Sequence, residues 1–413
     1  PKLILAGPDV RHLITETPTL ALDELLGMIS RHSDEPFNID DVSPDDIVEI
    51  VFTSGTTGEP KGVELTHGNI LANLEPIESV IERYLKWEFV VHPIRILNTL
   101  PLSHVFGQLV TIFMPTLLRA EVIFQNRLSP NDIVETIKRD RVSVLACVPR
   151  VLDTLRRKIE NDLDEEMDLP GRSPAWPFRW WRSRHIHRVF GLKFFGFVTG
   201  GATLDPSTEE FWNDHAFMVV QGYGMTETAA LISLNNPFSA RRGSLGQIIE
   251  GQDIKLAGDG EILVRGKNIS AGVWRAEHRT VDDWLHTGDI GSVDETGRLY
   301  FKSRKKDVIV TAAGLNIYPQ DLEAALNRQT GIIESSVVGI DGPVGSEPVA
   351  ALRISEGIDV DAAVAKANRS LAPFQQIRRW IIWPETDFPR TPTQKVRKAQ
   401  VAETVRQSLE NGM

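Results

Sequence analysis

Cysteine is almost missing from these 413 residues: Cys147 stands alone, so an internal disulfide is excluded. That agrees with a reducing compartment, and a cytoplasmic location is expected. Cys147 sits in the apolar run 142–148, which reads as a core strand. Apolar burial makes a thiol inert, so a structural role is expected rather than that of a thioester nucleophile. Excess positive charge is missing as well. Lys and Arg number 45 against 56 Asp and Glu, and the net charge of −11 argues against nucleic acid as the main partner. It does not argue against ATP, because a local lysine cluster outweighs a distant, screened background. No apolar run is long enough to span a bilayer, and none reads as a secretory signal. A chain of this length exceeds a usual single core, so two or more domains are expected.

A Walker loop is also missing, because no Gly-Lys-Ser/Thr stands at the required spacing. What the chain has instead is Thr53-Ser54-Gly55-Thr56-Thr57-Gly58-Glu59-Pro60-Lys61-Gly62. Glycines let backbone N–H groups turn inward around an anion, hydroxyls add donors, and Lys61 supplies a point charge. The apolar run 47–52 before it reads as a buried strand. Residues 66–89 after it read as a helix with Ile70, Leu74, Ile77, Ile81 and Leu85 on one face. The loop is therefore expected between a strand and a helix, as an ATP loop of a kind other than Walker.

Residues 52–62 resemble the phosphate-loop signature of the adenylate-forming superfamily, which includes acyl-CoA synthetases, luciferases and the adenylation domains of peptide synthetases. Further stretches match in chain order. Residues 97–107 resemble the segment that brings a histidine to the acyl pocket; His104 is carried over as pocket wall, with an ordinary polar strand end as the alternative. Gly200, Gly201 and Ala202 resemble the turn lining the adenine and acyl pockets. Gly222-Tyr223-Gly224 with Thr226 and Glu227 is the second strong signature. The resemblance implies that Tyr223 stacks near adenine, Thr226 contacts the α-phosphate and Glu227 ligates Mg2+. In Trp284-Leu285-His286-Thr287-Gly288-Asp289, Asp289 would accept from the ribose hydroxyls. Arg304 would reach the ribose and Lys306 would be the hinge, while residues 311–314, ending in Gly314, would line the thiol tunnel. Lys395 matches the catalytic lysine, although Gln394 replaces the glycine usual before it.

The resemblance implies an α/β fold: a large N-terminal domain of parallel sheets covered by helices with a β-rich subdomain (1–302), then a small mobile α/β domain (303–413) hinged near 304–307. Because Pro1 comes first and the loop lies deeper in family chains, an N-terminal portion is expected to be missing. The implied reaction is ATP-dependent activation of a medium- to long-chain fatty acid to acyl-AMP, then transfer to CoA. The alternatives are an acyl-AMP ligase or acyl-carrier-protein synthetase, or an ATP-binding fragment without turnover. A phosphotransferase is contradicted by the missing Walker spacing. Trp176, Trp180 and Trp181, interleaved with Arg179, Arg182, Arg184 and Arg188, read either as a membrane-surface contact or as a solvated face packed on the domain, and the second is preferred. His185 and His187 lack further metal ligands at suitable spacing.

Overall fold

The computed structural model describes residues 2–14, 16–33, 35, 41–54, 60–82, 92–162, 176–235, 241–275, 283–342, 345–391 and 393–411. Two compact units are distinguished, 1–43 and 44–413. In the first, strands Ile4–Ala6 and Thr19–Ala21 pair in parallel, and helix Leu22–Ile29 follows the second of them. The second unit carries the features discussed below.

Its largest element is a sheet of eleven strands among the described residues. One half is parallel: Glu121–Phe124, Arg95–Asn98, Val144–Cys147, Gly196–Gly200 and Met218–Tyr223 lie side by side in that order. Parallel strands need crossovers, and helices Pro130–Arg139, Pro149–Asp162, Arg184–Phe190 and Pro206–Asp214 supply them. Two of these helices have side-chain N-caps. Ser129 accepts from Asp132 N, and Asp205 accepts from Ser207 N ahead of Pro206. Beyond Met218–Tyr223 the sheet turns antiparallel through Ser233–Leu234, Ser244–Ile248, Arg298–Arg304, Leu285–Val293, Glu261–Gly266 and Gln252–Leu256. The α/β fold with a β-rich portion is thus observed.

An aromatic group glues the helices to the parallel half. Trp212, Phe190, Phe194, Phe197 and Phe217 are each at most 1% exposed, and their rings meet edge-on or tilted at 4.7–6.0 Å, apart from the stacked Phe190–Phe194 pair. Cys147 is fully buried beside them, and burial pushes its thiol well above the usual range. In the Trp/Arg stretch burial differs from side chain to side chain. His187 stacks on Phe217 at 4.1 Å and Trp180 packs on His187, whereas Phe178 and Trp181 are 50% and 57% exposed. Trp176's side chain and residues 163–175 lie outside the described ones.

Residues beyond 308 build separate cores. Strands Ile332–Gly342 and Gly345–Ile354 pair antiparallel, and Arg379–Ile382 joins in parallel. Helices Pro319–Asn327 and Val360–Asn368 pack with one hydrophobic group, and Lys398–Asn411 packs with another around Trp383 and Phe388. The expected boundary near 302–303 falls inside strand Arg298–Arg304.

The surroundings of the glycine-rich loop differ from expectation. The segment after it is a strand, Pro60–Thr66, which folds back antiparallel on Ile47–Ser54 with Thr53 opposite Lys61; helix His67–Glu82 comes only afterwards. Pro60 is tolerated because it opens the strand. The first strand is not buried throughout: Ile47 and Phe52 are 50% and 57% exposed, because it lies at the edge of a three-stranded sheet. Residues 55–59 lie outside the described ones.

Trp212→Ala removes the ring at the centre of the aromatic group. It is expected to destabilise the protein by about 3–5 kcal/mol, read as a lower denaturation midpoint.

Candidate active site

Two strand ends and a C-terminal hairpin meet around Asp289. It lies in strand Leu285–Val293 directly opposite Arg304 of the neighbouring strand, and it is 3% exposed. Tyr223, the last residue of Met218–Tyr223, donates its hydroxyl to Asp289 Oδ2 at 2.8 Å. Arg304 Nη1 stands 2.8 Å from Oδ1, yet not in hydrogen-bond alignment, so Oδ1 is a buried acceptor with capacity to spare. Burial raises the Asp289 carboxyl pKa, against the opposing pull of Arg304, Tyr223 and Lys395. Burial and the charge of Asp289 raise the Tyr223 phenol, which stays protonated as a donor.

Lys395 belongs to a tight hairpin between Arg390 and Val396. Thr391 N donates to Lys395 O at 2.9 Å, and Lys395 N donates to Thr391 Oγ1 at 3.1 Å. Burial pushes its ammonium down to about 8; the charges of Arg304 and Lys306 push the same way and Asp289 pulls back. Burial also lowers His104, and the nearby Lys395 charge lowers it further, so His104 is neutral at pH 7. His104 opens the short helix Val105–Gln108 rather than ending a strand. Lys306 lies in the turn Lys305–Asp307 that follows Arg304. Tyr223, Asp289, Arg304, Lys306, His104 and Lys395 are therefore brought together.

The glycines mark where backbone approaches. A Cβ on Gly200 would stand 2.9 Å from Gly222 O and from Phe106 Cζ, and one on Gly224 would stand 2.2 Å from Ala230 O. Gly201 and Ala202 follow strand Gly196–Gly200. Thr226 and Glu227 sit in the single turn Thr226–Thr228. Among the described residues the Glu227 carboxylate has no hydrogen bond or ion pair, and no group of three or more His, Cys, Asp or Glu is placed to hold a metal. A lone carboxylate fits magnesium when substrate phosphates supply further oxygens. Lys61 is exposed on its strand, Thr53 faces its carbonyl, and Ser54 ends the preceding strand. Gly55, Thr56, Thr57 and Gly58 are outside the described residues. Gly314 caps an exposed turn, with its N–H on Thr311 O.

Sequence reasoning missed the braces. Asn73, fully buried, donates to the carbonyls of Thr228 and Ala229 at 2.9 and 2.8 Å, and Asn268 also reaches Thr228 O. Asn69 and Asn73, four apart beside Ile70, Leu74 and Ile77, were the available signal. Glu261 accepts from Gly288 N, His286 Nδ1 and Lys305 Nζ at 3.1, 3.1 and 2.8 Å, and so ties the Asp289 strand to the turn holding Lys306. Nothing in its local sequence marks that role.

The family profile for AMP-binding enzymes matches residues 5–274. This chain belongs to the AMP-binding enzyme family. It is 28% identical to the long-chain-fatty-acid–CoA ligase FadD15 of Mycobacterium bovis over 423 residues, covering 88% of this chain and 69% of that one. It is 30% identical to the sulfoacetate–CoA ligase of Cupriavidus necator over 417 residues, 96% of this chain and 74% of that one. The structure of o-succinylbenzoate CoA synthetase from Bacillus subtilis with ATP and magnesium superposes with a TM-score of 0.74 at 25% identity, covering 96% of this chain and 78% of that one. The family member is an adenylate-forming acid–CoA ligase, using ATP and CoA on a carboxylate. Among the described residues no helix is long and apolar enough to cross a membrane.

Burial of Lys395 generates a chemical expectation. Its acetylation by acetic anhydride should rise with pH half-maximally near 8, well below an ordinary lysine; peptide mass spectrometry of the ligand-free protein measures it. A midpoint above 10 would contradict the burial.

Proposed function

We propose that this ligase activates a medium- to long-chain fatty acid as acyl-AMP and passes the acyl group to CoA. The observation carrying the reading is the buried cluster in which Lys395 meets Asp289, Arg304 and His104. Two anions must react, the carboxylate with the α-phosphate of ATP, and charge builds on that phosphate as pyrophosphate leaves. The Lys395 ammonium offsets it, and neutral His104 flanks the carboxylate without adding charge. Asp289 Oδ1 accepts from the ribose, with its partner oxygen fixed by Tyr223, and Arg304 holds the same sugar. Thr226 contacts the α-phosphate, while Lys61 would offset the charge of the departing phosphates. Gly200, Gly201, Ala202, Gly222 and Gly224 let adenine and the acyl group approach backbone. Magnesium held at Glu227 would supply positive charge to the phosphates.

For the second step, residues 303–413 turn about Lys306, so that Lys395 leaves and CoA enters along Thr311 to Gly314. The fatty-acid choice draws on the likeness to FadD15. Exposed Phe178 and Trp181 suit contact with the membrane surface from which such acids come.

The test is ATP–pyrophosphate exchange with fatty acids of increasing length, sulfoacetate and o-succinylbenzoate. Fatty acids should drive it, and Lys395→Ala should lower it about 100- to 1,000-fold. Exchange driven only by another acid overturns the substrate assignment, and ATP binding without exchange overturns turnover. Product analysis with CoA against a carrier protein decides the acceptor.

A further inference from the structure

Helix Pro149–Asp162 follows strand Val144–Cys147, and its second residue, Arg150, projects toward the C-terminal hairpin. Arg150 Nη1 donates to Gln394 Oε1 at 3.0 Å, and Nη2 meets Asp387 Oδ2 at 2.5 Å. Seven residues along the same helix, and hence on nearly the same face, Arg157 Nη2 donates to Ile333 O at 2.7 Å. Among the described residues, no other interaction places a charged fork from the parallel half directly beside the residue preceding Lys395.

Gln394 has φ +63°, a left-handed conformation that is strained for a residue with a side chain. That is why glycine suits this position, and why glutamine there calls for a reason. Its side chain makes the one contact that glycine lacks. The hairpin is stiff enough to transmit it: Gln394 N donates to Thr391 O, and Arg390 Nη1 donates to Gln394 O at 3.0 Å. Asp387 remains compensated when Arg150 withdraws, because Arg390 and Arg353 stand 2.9 and 3.2 Å from its Oδ1. Burial alone would raise the Asp387 carboxyl, but the arginines hold it well below the usual carboxylate range. Arg150, about one-third exposed already, regains water. Undocking therefore strands no buried charge, in contrast to a buried pair broken on one side.

We propose that Arg150 is a positioning residue, a docking hook that grips Gln394 and Asp387 and holds Lys395 in the adenylating site. The inference rests on the reading of Lys395 as the adenylating lysine. It adds that this chain exchanges an unstrained glycine for a side-chain catch, weighting its resting state toward the first half-reaction.

Arg150→Ala should lower kcat for dodecanoate-dependent pyrophosphate exchange about tenfold, the loss expected for partly exposed hydrogen bonds to charge. KM for ATP should stay nearly unchanged. Thioester formation from preformed dodecanoyl-adenylate and CoA should be unchanged or faster. Arg150→Lys, which can pair with Asp387 but cannot fork, should recover part of the exchange. Gln394→Gly should lower exchange about two- to tenfold without lowering the denaturation midpoint. Equal losses in both half-reactions, or no loss in either, overturn the proposal.

A ligand-free arm separates failure of the hook from failure of the fatty-acid reading. Dyes on Arg188→Cys and Gln407→Cys, both exposed positions, report the distance between the two halves, while buried Cys147 stays unlabelled. Arg150→Ala should shift the energy-transfer distribution toward lower efficiency. An unchanged distribution overturns the hook even if dodecanoate proves inert.

Discussion

A carboxylate forced out of water organises the site. Asp289 is buried where the antiparallel half of the sheet meets the end of Met218–Tyr223, and isolated there it would be intolerable. Tyr223 takes one oxygen by hydrogen bond, Arg304 neutralises the other, and Lys395 adds a distant positive field. Each compensating group is also one the proposed reaction would use. The arrangement that makes the carboxylate bearable therefore preorganises charge in a place of low dielectric, where fixed dipoles act most strongly.

Much of this was legible because it depends on local rules. Helix starts are local in this way: Ser129 before Pro130 and Asp205 before Pro206 cap by side-chain hydrogen bonds within three residues. Asp289, Arg304, Tyr223 and Lys395 could be named because their signatures are short. What could not be read is non-local. Pro60–Thr66 is a strand because its partner is Ile47–Ser54, and pairing overrides the glycine-rich composition between them. Arg150 and Gln394 are 244 positions apart, and no spacing rule joins them. The cost at Gln394 was equally invisible, since a backbone angle is set by the hairpin and not by the residue's own preference.

Buried amides show the same division. Asn73 sits in a helix whose apolar face is plain in the sequence, and its contacts with the Thr226–Thr228 turn belong to the fold alone. An amide there holds the carbonyls of Thr228 and Ala229 together, which fixes the turn bearing Thr226 and Glu227. Rigidity of that turn thus comes from the helix behind it.

Phe106 packs against two of the hydrophobic groups of the second unit, and its ring occupies the space that a side chain on Gly200 would claim. The seam between those two cores is a single ring. Altering it therefore alters cohesion on both sides, so a smaller ring would need compensating bulk elsewhere before selection could keep it.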